Sequence, residues 1–176
     1  MNFQLTHSIE ILERTPAVLT AWLEGLSGEW IFQNEGGDTW SPFDVVGHLI
    51  HGEKTDWIPR LKIILEHGDA KPFEPYDRFA QFEESKGKTL SQLLQEFTRL
   101  RNLNLEILKN TPLSEADLDR KGRHPALGEV TLRQLLATWT VHDLTHIYQI
   151  SRVLARQYEG EVGVWKAYLG VLKTES

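Results

Sequence analysis

Apolar residues recur three and four positions apart along four separate stretches of this chain, and that spacing restricts its fold more than any motif does. In the first stretch, Phe3 to Leu26, the pattern runs through Leu5, Ile9, Leu12, Leu19, Trp22, Leu23 and Leu26. Thr15 can cap and Pro16 is tolerated only in a first turn, so this helix is expected to kink or restart there. After the turn-rich run Asn34 to Thr39, a second helix should open with Ser41 as cap, Pro42 at the first helical position and Asp44 at the positive end of the dipole. It should reach about His67-Gly68, with a kink at Pro59. A third runs from Leu90 to Leu108 and stops at Thr111-Pro112. Thr131 and Gln134 form a capping box for a fourth that reaches about Ala155.

The intervening segments read as connections. Residues 69–88 carry Pro72, Pro75 and many charges without periodicity and suit a long crossover; 114–130 are irregular, and 162–172 suggest a short terminal helix. No alternating Val/Ile/Thr run flanks a tight Asn-Gly or Asp-Gly turn, so strands are not expected. The expected architecture is an all-α four-helix bundle, with residues 1–176 forming one domain.

Composition narrows the function. There is no cysteine, which excludes disulfides, thiolate zinc sites, iron-sulfur clusters and a cysteine nucleophile, and suits a cytoplasmic location. Any metal must be held by histidines and carboxylates. The net charge of −6, with neither sign gathered into a block, disfavours nucleic acid as a partner. No apolar run approaches a membrane span, and Glu10, Glu13 and Arg14 stand where a signal peptide needs an unbroken apolar stretch.

The histidines carry the chemistry. His142 and His146 lie four apart, so their rings project from one helical face within reach of a single ion. At 100° per residue, His146 falls inside the apolar arc of Leu132, Leu135, Leu136, Trp139, Ile147, Ile150, Val153 and Leu154, with His142 on its edge. Two buried imidazoles need partners; a shared divalent metal satisfies both, and so would separate bonds to carbonyls or carboxylates. A third ligand would favour the metal. His48 borders the apolar arc of Val45, Val46, Leu49, Ile50 and Trp57, whereas His51 is expected on the solvated face, and His7, His67 and His124 lie near helix ends or in loops. Three imidazoles leave a coordination position open, as in catalytic sites.

Two carboxylates also fall on apolar arcs, Glu53 and Asp143. Either acid could orient a ligand or move a proton, or pair with an Arg or a Trp N–H to hold helices in place. Gln149, one turn beyond His146, could hydrogen-bond a substrate or water. A zincin-like reading of His142-Asp143-Leu144-Thr145-His146 is disfavoured, because Asp is a methylene shorter than the Glu of H-E-x-x-H and the third ligand would lie upstream.

The pattern W-S-x-x-D-V-x-x-H-L-x-x-x-E (Trp40, Ser41, Asp44, Val45, His48, Leu49, Glu53), followed by T-L-R-Q-L-L-x-x-W-x-x-H-D-L-x-H-I-x-Q-I (Thr131 to Ile150), resembles the DinB-like superfamily, which includes YfiT-type metal-dependent hydrolases. The resemblance implies a four-helix bundle, often a homodimer, that holds one divalent metal, commonly zinc or nickel, through three histidines, by position His48, His142 and His146. It also implies a small-molecule substrate and either hydrolysis or transfer of a low-molecular-weight thiol, with Asp143 and Gln149 as candidate catalytic residues. The alternative is a non-catalytic, metal-stabilised dimerisation or stress-response module.

Overall fold

The computed structural model describes residues 2–173; Met1 and residues 174–176 of the expected domain lie outside the described residues. The chain is a four-helix bundle with a small hairpin, and its four long helical stretches fall where the apolar spacing puts them.

The first stretch is two helices, α1 (Leu5–Leu12) and α2 (Thr15–Leu23). Thr15 does not cap; its hydroxyl donates to the Ile11 carbonyl, and Pro16 sits in the first turn of α2. A short helix, α3 (Gly28–Phe32), follows in a segment expected to be loop. The second stretch also divides, into α4 (Pro42–Thr55) and α5 (Trp57–His67). The break at Asp56 lies just before Pro59, which has no N–H for the Thr55 carbonyl four residues back and whose ring crowds it. Ser41 caps α4 as expected: its Oγ accepts from the Asp44 N–H at 3.2 Å, while Asp44 Oδ2 accepts from the Ser41 N–H at 2.9 Å.

Within the crossover lies α6 (Ala80–Ser85), packed against α4 across Gly47, where a Cβ would come within 2.5 Å of Ser85 Oγ. Then come α7 (Leu90–Asn110), capped by Thr89 and Gln92, and the single turn α8 (Glu115–Leu118). The segment read as strandless instead forms an antiparallel hairpin, β1 (Lys121–His124) and β2 (Gly128–Thr131), in register Lys121↔Thr131 to His124↔Gly128. Its three-residue loop closes on Gly128 at φ 77°, a connection that needs neither Asn-Gly nor Asp-Gly. Strands of four residues are too short to show alternation. Finally α9 (Leu132–Arg156) starts on the Thr131–Gln134 capping box; the expected terminal helix is two 3₁₀ turns, Gly163–Tyr168 and Gly170–Leu172. No helix among the described residues is long and apolar enough to cross a membrane.

Two apolar clusters fill the bundle. One joins Leu12, Trp57, Leu61, Leu105, Leu108, Leu136 and Trp139; the other joins Leu19, Val46, Leu49, Ile50, Leu93, Phe97 and Ile150. On α4, α7 and α9 the buried residues between these clusters are polar: Glu53, then Arg101 and Asn104, then Asp143 and His146. The three helices therefore share a polar layer between the two clusters. Layers of this kind are costly unless every group finds a partner.

Candidate metal centre

One part of that layer is fully occupied. Arg101 is completely buried, and its guanidinium donates through Nε and Nη2 to Glu53 Oε1 at 3.0 and 2.8 Å, and through Nη1 and Nη2 to Asp143 at 2.5 and 2.9 Å. Its Nη1 also donates to the Leu12 carbonyl at 3.0 Å. That carbonyl is free because the residue four positions on is Pro16, which has no N–H to give. Trp139 Nε1 completes Glu53 Oε1 at 3.1 Å, and Asn104 Nδ2 donates to Glu53 Oε2 at 2.9 Å and to the Glu53 main-chain oxygen at 2.8 Å. Burial opposes the Arg101 charge, but the two carboxylates outweigh it and hold the pKa above the ordinary arginine value.

One turn away the layer is different. His48 from α4 and His142 and His146 from α9 turn their Nε2 atoms towards one another, with His142 Nε2 3.0 Å from His48 Nε2 and 3.1 Å from His146 Nε2. The ligating atoms of the three all lie within 4.8 Å of one another. Burial pushes the His48 pKa down to about 3 and that of His142 down to about 2, and the other imidazoles add to the effect. Burial lowers His146 as well, while the Gln149 bond and the Asp143 charge pull it back up. The rings are therefore neutral at pH 7, and each can offer a lone pair.

The outer nitrogens decide which atom carries that lone pair. Gln149 Oε1 accepts from His146 Nδ1 at 2.8 Å, which places the proton on Nδ1 and leaves Nε2 bare. Tyr76 Oη lies 2.8 Å from His48 Nδ1 and can accept from it in the same way. His142 Nδ1 is buried with no hydrogen-bond partner among the described residues. A cation between the three rings would give the Nε2 lone pairs of His48, His142 and His146 a common partner. The two short separations are close to the roughly 3.3 Å edge of a tetrahedron with bonds of about 2.0–2.1 Å to imidazole nitrogen, and with all ligating atoms within 4.8 Å the residues present fit a divalent cation of the zinc type.

Aromatic rings wall the trio. Trp40 lies 4.8 Å from the His48 ring and 6.4 Å from that of His146, and the edge of Trp57 meets His142 at 5.1 Å while its face stacks on Trp139 at 5.6 Å. Such walls lower the local dielectric and restrict water.

The structure brings together His48, His142 and His146 and places Gln149 on one of them. It places both oxygens of the buried Asp143 on Arg101 and not on the trio. His51 corrects the expectation of a solvated ring: it is only 5% exposed, with Nδ1 3.0 Å from Glu84 Oε1 and its ring against Tyr76, because α6 covers the face of α4 that looks polar in sequence. His7, His67 and His124 are not part of the cluster. Sequence reasoning missed Tyr76, which sits in the aperiodic crossover and left no signal, and Arg101, which did leave one. It follows Phe97 by four residues and precedes Leu105 and Leu108 on the same apolar face, the position that drew attention to Glu53 and Asp143.

A family profile for the DinB superfamily matches residues 11–150. The chain belongs to the DinB superfamily. Among solved structures it is similar to one described as "YfiT from Bacillus subtilis is a probable metal-dependent hydrolase with an unusual four-helix bundle topology", with a TM-score of 0.74 and 26% sequence identity, covering 88% of this chain and 87% of that one. No curated protein sequence matches significantly. The DinB assignment agrees with the bundle, and the histidine cluster is of a kind that can hold a divalent metal.

Proposed function

We propose that this protein is a metal-dependent hydrolase whose divalent ion, zinc or nickel, is held by His48, His142 and His146. The observation that carries the reading is the convergence of three buried imidazoles, with His142 Nε2 at 3.0 and 3.1 Å from the Nε2 atoms of His48 and His146 and with Gln149 Oε1 accepting from His146 Nδ1. The description of the Bacillus subtilis YfiT structure supports it. A divalent ion there supplies Lewis acidity and makes a water, or a low-molecular-weight thiol in its place, a better nucleophile near neutral pH.

The residues of the chain supply the rest. Gln149 and Tyr76 hold the rings of His146 and His48 by their outer nitrogens, so the lone pairs need no reorientation when a ligand arrives. Trp40 and Trp57 restrict bulk water around the imidazoles. Arg101 pins α4, α7 and α9 through Glu53 and Asp143, which keeps His48 at a fixed distance from the pair on α9. Asp143 also lies close enough to His146 for its charge to be felt at that ring, so its role is to position and polarise the histidine.

The test is metal content after loading with Zn²⁺ or Ni²⁺ and gel filtration. The wild-type chain should retain about one ion and His51→Ala should do the same, whereas His146→Ala should retain less than about a tenth as much. Ester or amide hydrolysis should depend on the loaded ion. No stoichiometric retention by the wild type, or equal loss from His51→Ala and His146→Ala, overturns the reading. If turnover requires an added thiol, the reaction is transfer and not hydrolysis.

A further inference from the structure

The crossover between α5 and α6 brings a positive charge, with no ion-pair partner among the described residues, beside the indole that covers His48. Phe73 anchors this segment, being buried and donating its N–H to the Arg123 carbonyl at 2.9 Å. Tyr76 ties it to His48, and Asp77 Oδ1 accepts from the N–H groups of Phe79 and Ala80 at 2.9 and 3.2 Å, fixing the turn between them. Arg78 is thereby held with its guanidinium carbon 5.9 Å from the Trp40 ring centre and 5.7 Å from that of Phe79. Trp40 is the same indole that covers His48.

Three features separate Arg78 from an ordinary surface arginine. Among the described residues it enters no ion pair, although most arginines of this chain do. The carboxylate beside it in sequence is engaged by backbone N–H groups. Its guanidinium lies within cation–π distance of two rings, so less freedom is lost when its N–H edge binds an oxyanion. Its charge is felt at His48, which places it within electrostatic reach of the trio. Beside it, Phe79 and Phe82 stack on each other while remaining 65% and 39% exposed, and Phe82 meets Trp40 edge-on. A cation and two partly exposed phenyl rings thus stand together beside the indole that covers His48.

We infer that Arg78 is the specificity-determining residue of this site, and that the site takes small organic oxyanions, carboxylates or phosphate monoesters, whose apolar body lies against Phe79 and Phe82. This deepens the proposed function and rests on the trio being the reacting centre. Aromatic faces attract a guanidinium weakly at an exposed position, and a charge-assisted bond to an oxyanion is stronger, so an anion can engage the fork without displacing it from the rings.

Phenylacetate, phenyl phosphate and the neutral isostere phenylacetamide serve as probes, titrated calorimetrically into wild type, Arg78→Gln and Arg78→Lys, each both zinc-loaded and metal-free. In the wild type at least one of the anions should bind about tenfold more tightly than the amide. Arg78→Gln should reduce that preference to within about twofold while leaving amide affinity and zinc content unchanged, and Arg78→Lys should keep part of it. Whichever anion binds more tightly identifies the oxyanion. An equal preference in wild type and Arg78→Gln would show that the anion is captured by the ion and would overturn the inference, as would a wild type that does not distinguish anion from amide. The metal-free titrations keep the two claims apart. A chain that retains no zinc yet shows an Arg78-dependent preference refutes the metal reading and leaves the oxyanion site standing.

Discussion

Two polar clusters occupy the middle of the same bundle, on consecutive residues of the same helix, and they are built to opposite standards. Asp143 belongs to a cluster in which one guanidinium, two carboxylates, an amide, an indole N–H and a main-chain carbonyl account for one another. Its neighbour His142 belongs to one in which three imidazole nitrogens converge with no charged partner between them and one further nitrogen has no partner among the described residues. Buried polar groups left short of partners are costly, so a chain keeps them only where something else completes them. The difference separates what holds the bundle from what the bundle holds.

The contrast can be broken most forcefully at Arg101. Arg101→Met leaves two buried carboxylates without their cation and should cost about 3–5 kcal/mol of a total stability of about 5–15 kcal/mol, measured by urea unfolding. His146→Ala, measured metal-free, should cost under about 1 kcal/mol, since it removes a ring from an incomplete set; equal losses would erase the distinction. Next in size is the effect of acid on the metal-free chain. His48 and His142 have folded pKa values near 3 and 2 against an ordinary 6.5, so below pH 6.5 the unfolded chain takes up protons that the folded chain refuses. Stability should be flat above about pH 7 and fall by up to about 3 kcal/mol per pH unit below 6.5 for the pair. The double variant His48→Ala/His142→Ala should lose most of that slope between pH 7 and 5, and an unchanged slope would refute the assignment. The smallest effect sharpens the comparison without unfolding anything: Gln149→Ala should weaken zinc affinity by about 10–100-fold while leaving the metal-free urea midpoint in place.

Much of this was legible in the sequence. Capping residues at Ser41 and Thr131 and the spacing of Leu, Ile and Trp locate the long helices, and orientation on those helices picks out His48, His142 and His146. The misses around the site share one cause. His51 looked solvated because a helical wheel shows a face but not what covers it, and α6 lies in a stretch with no apolar period. Tyr76 reaches His48, and Arg78 reaches the Trp40 indole beside it, from that same stretch, so their contribution depends on tertiary placement that local pattern does not encode. The hairpin escaped notice because four-residue strands closed by a three-residue loop carry neither alternation nor a two-residue turn signal.

Pro16 has a consequence beyond the bend it causes. By withholding an amide proton it leaves the Leu12 oxygen exposed to Arg101, and the two meet at 3.0 Å. The first helical stretch is thereby keyed to the other three at one height, like a notch cut to receive a pin. Sliding α1 by a turn in either direction would strand a guanidinium proton in the core, so the axial alignment of the whole bundle is set by an atom that proline lacks.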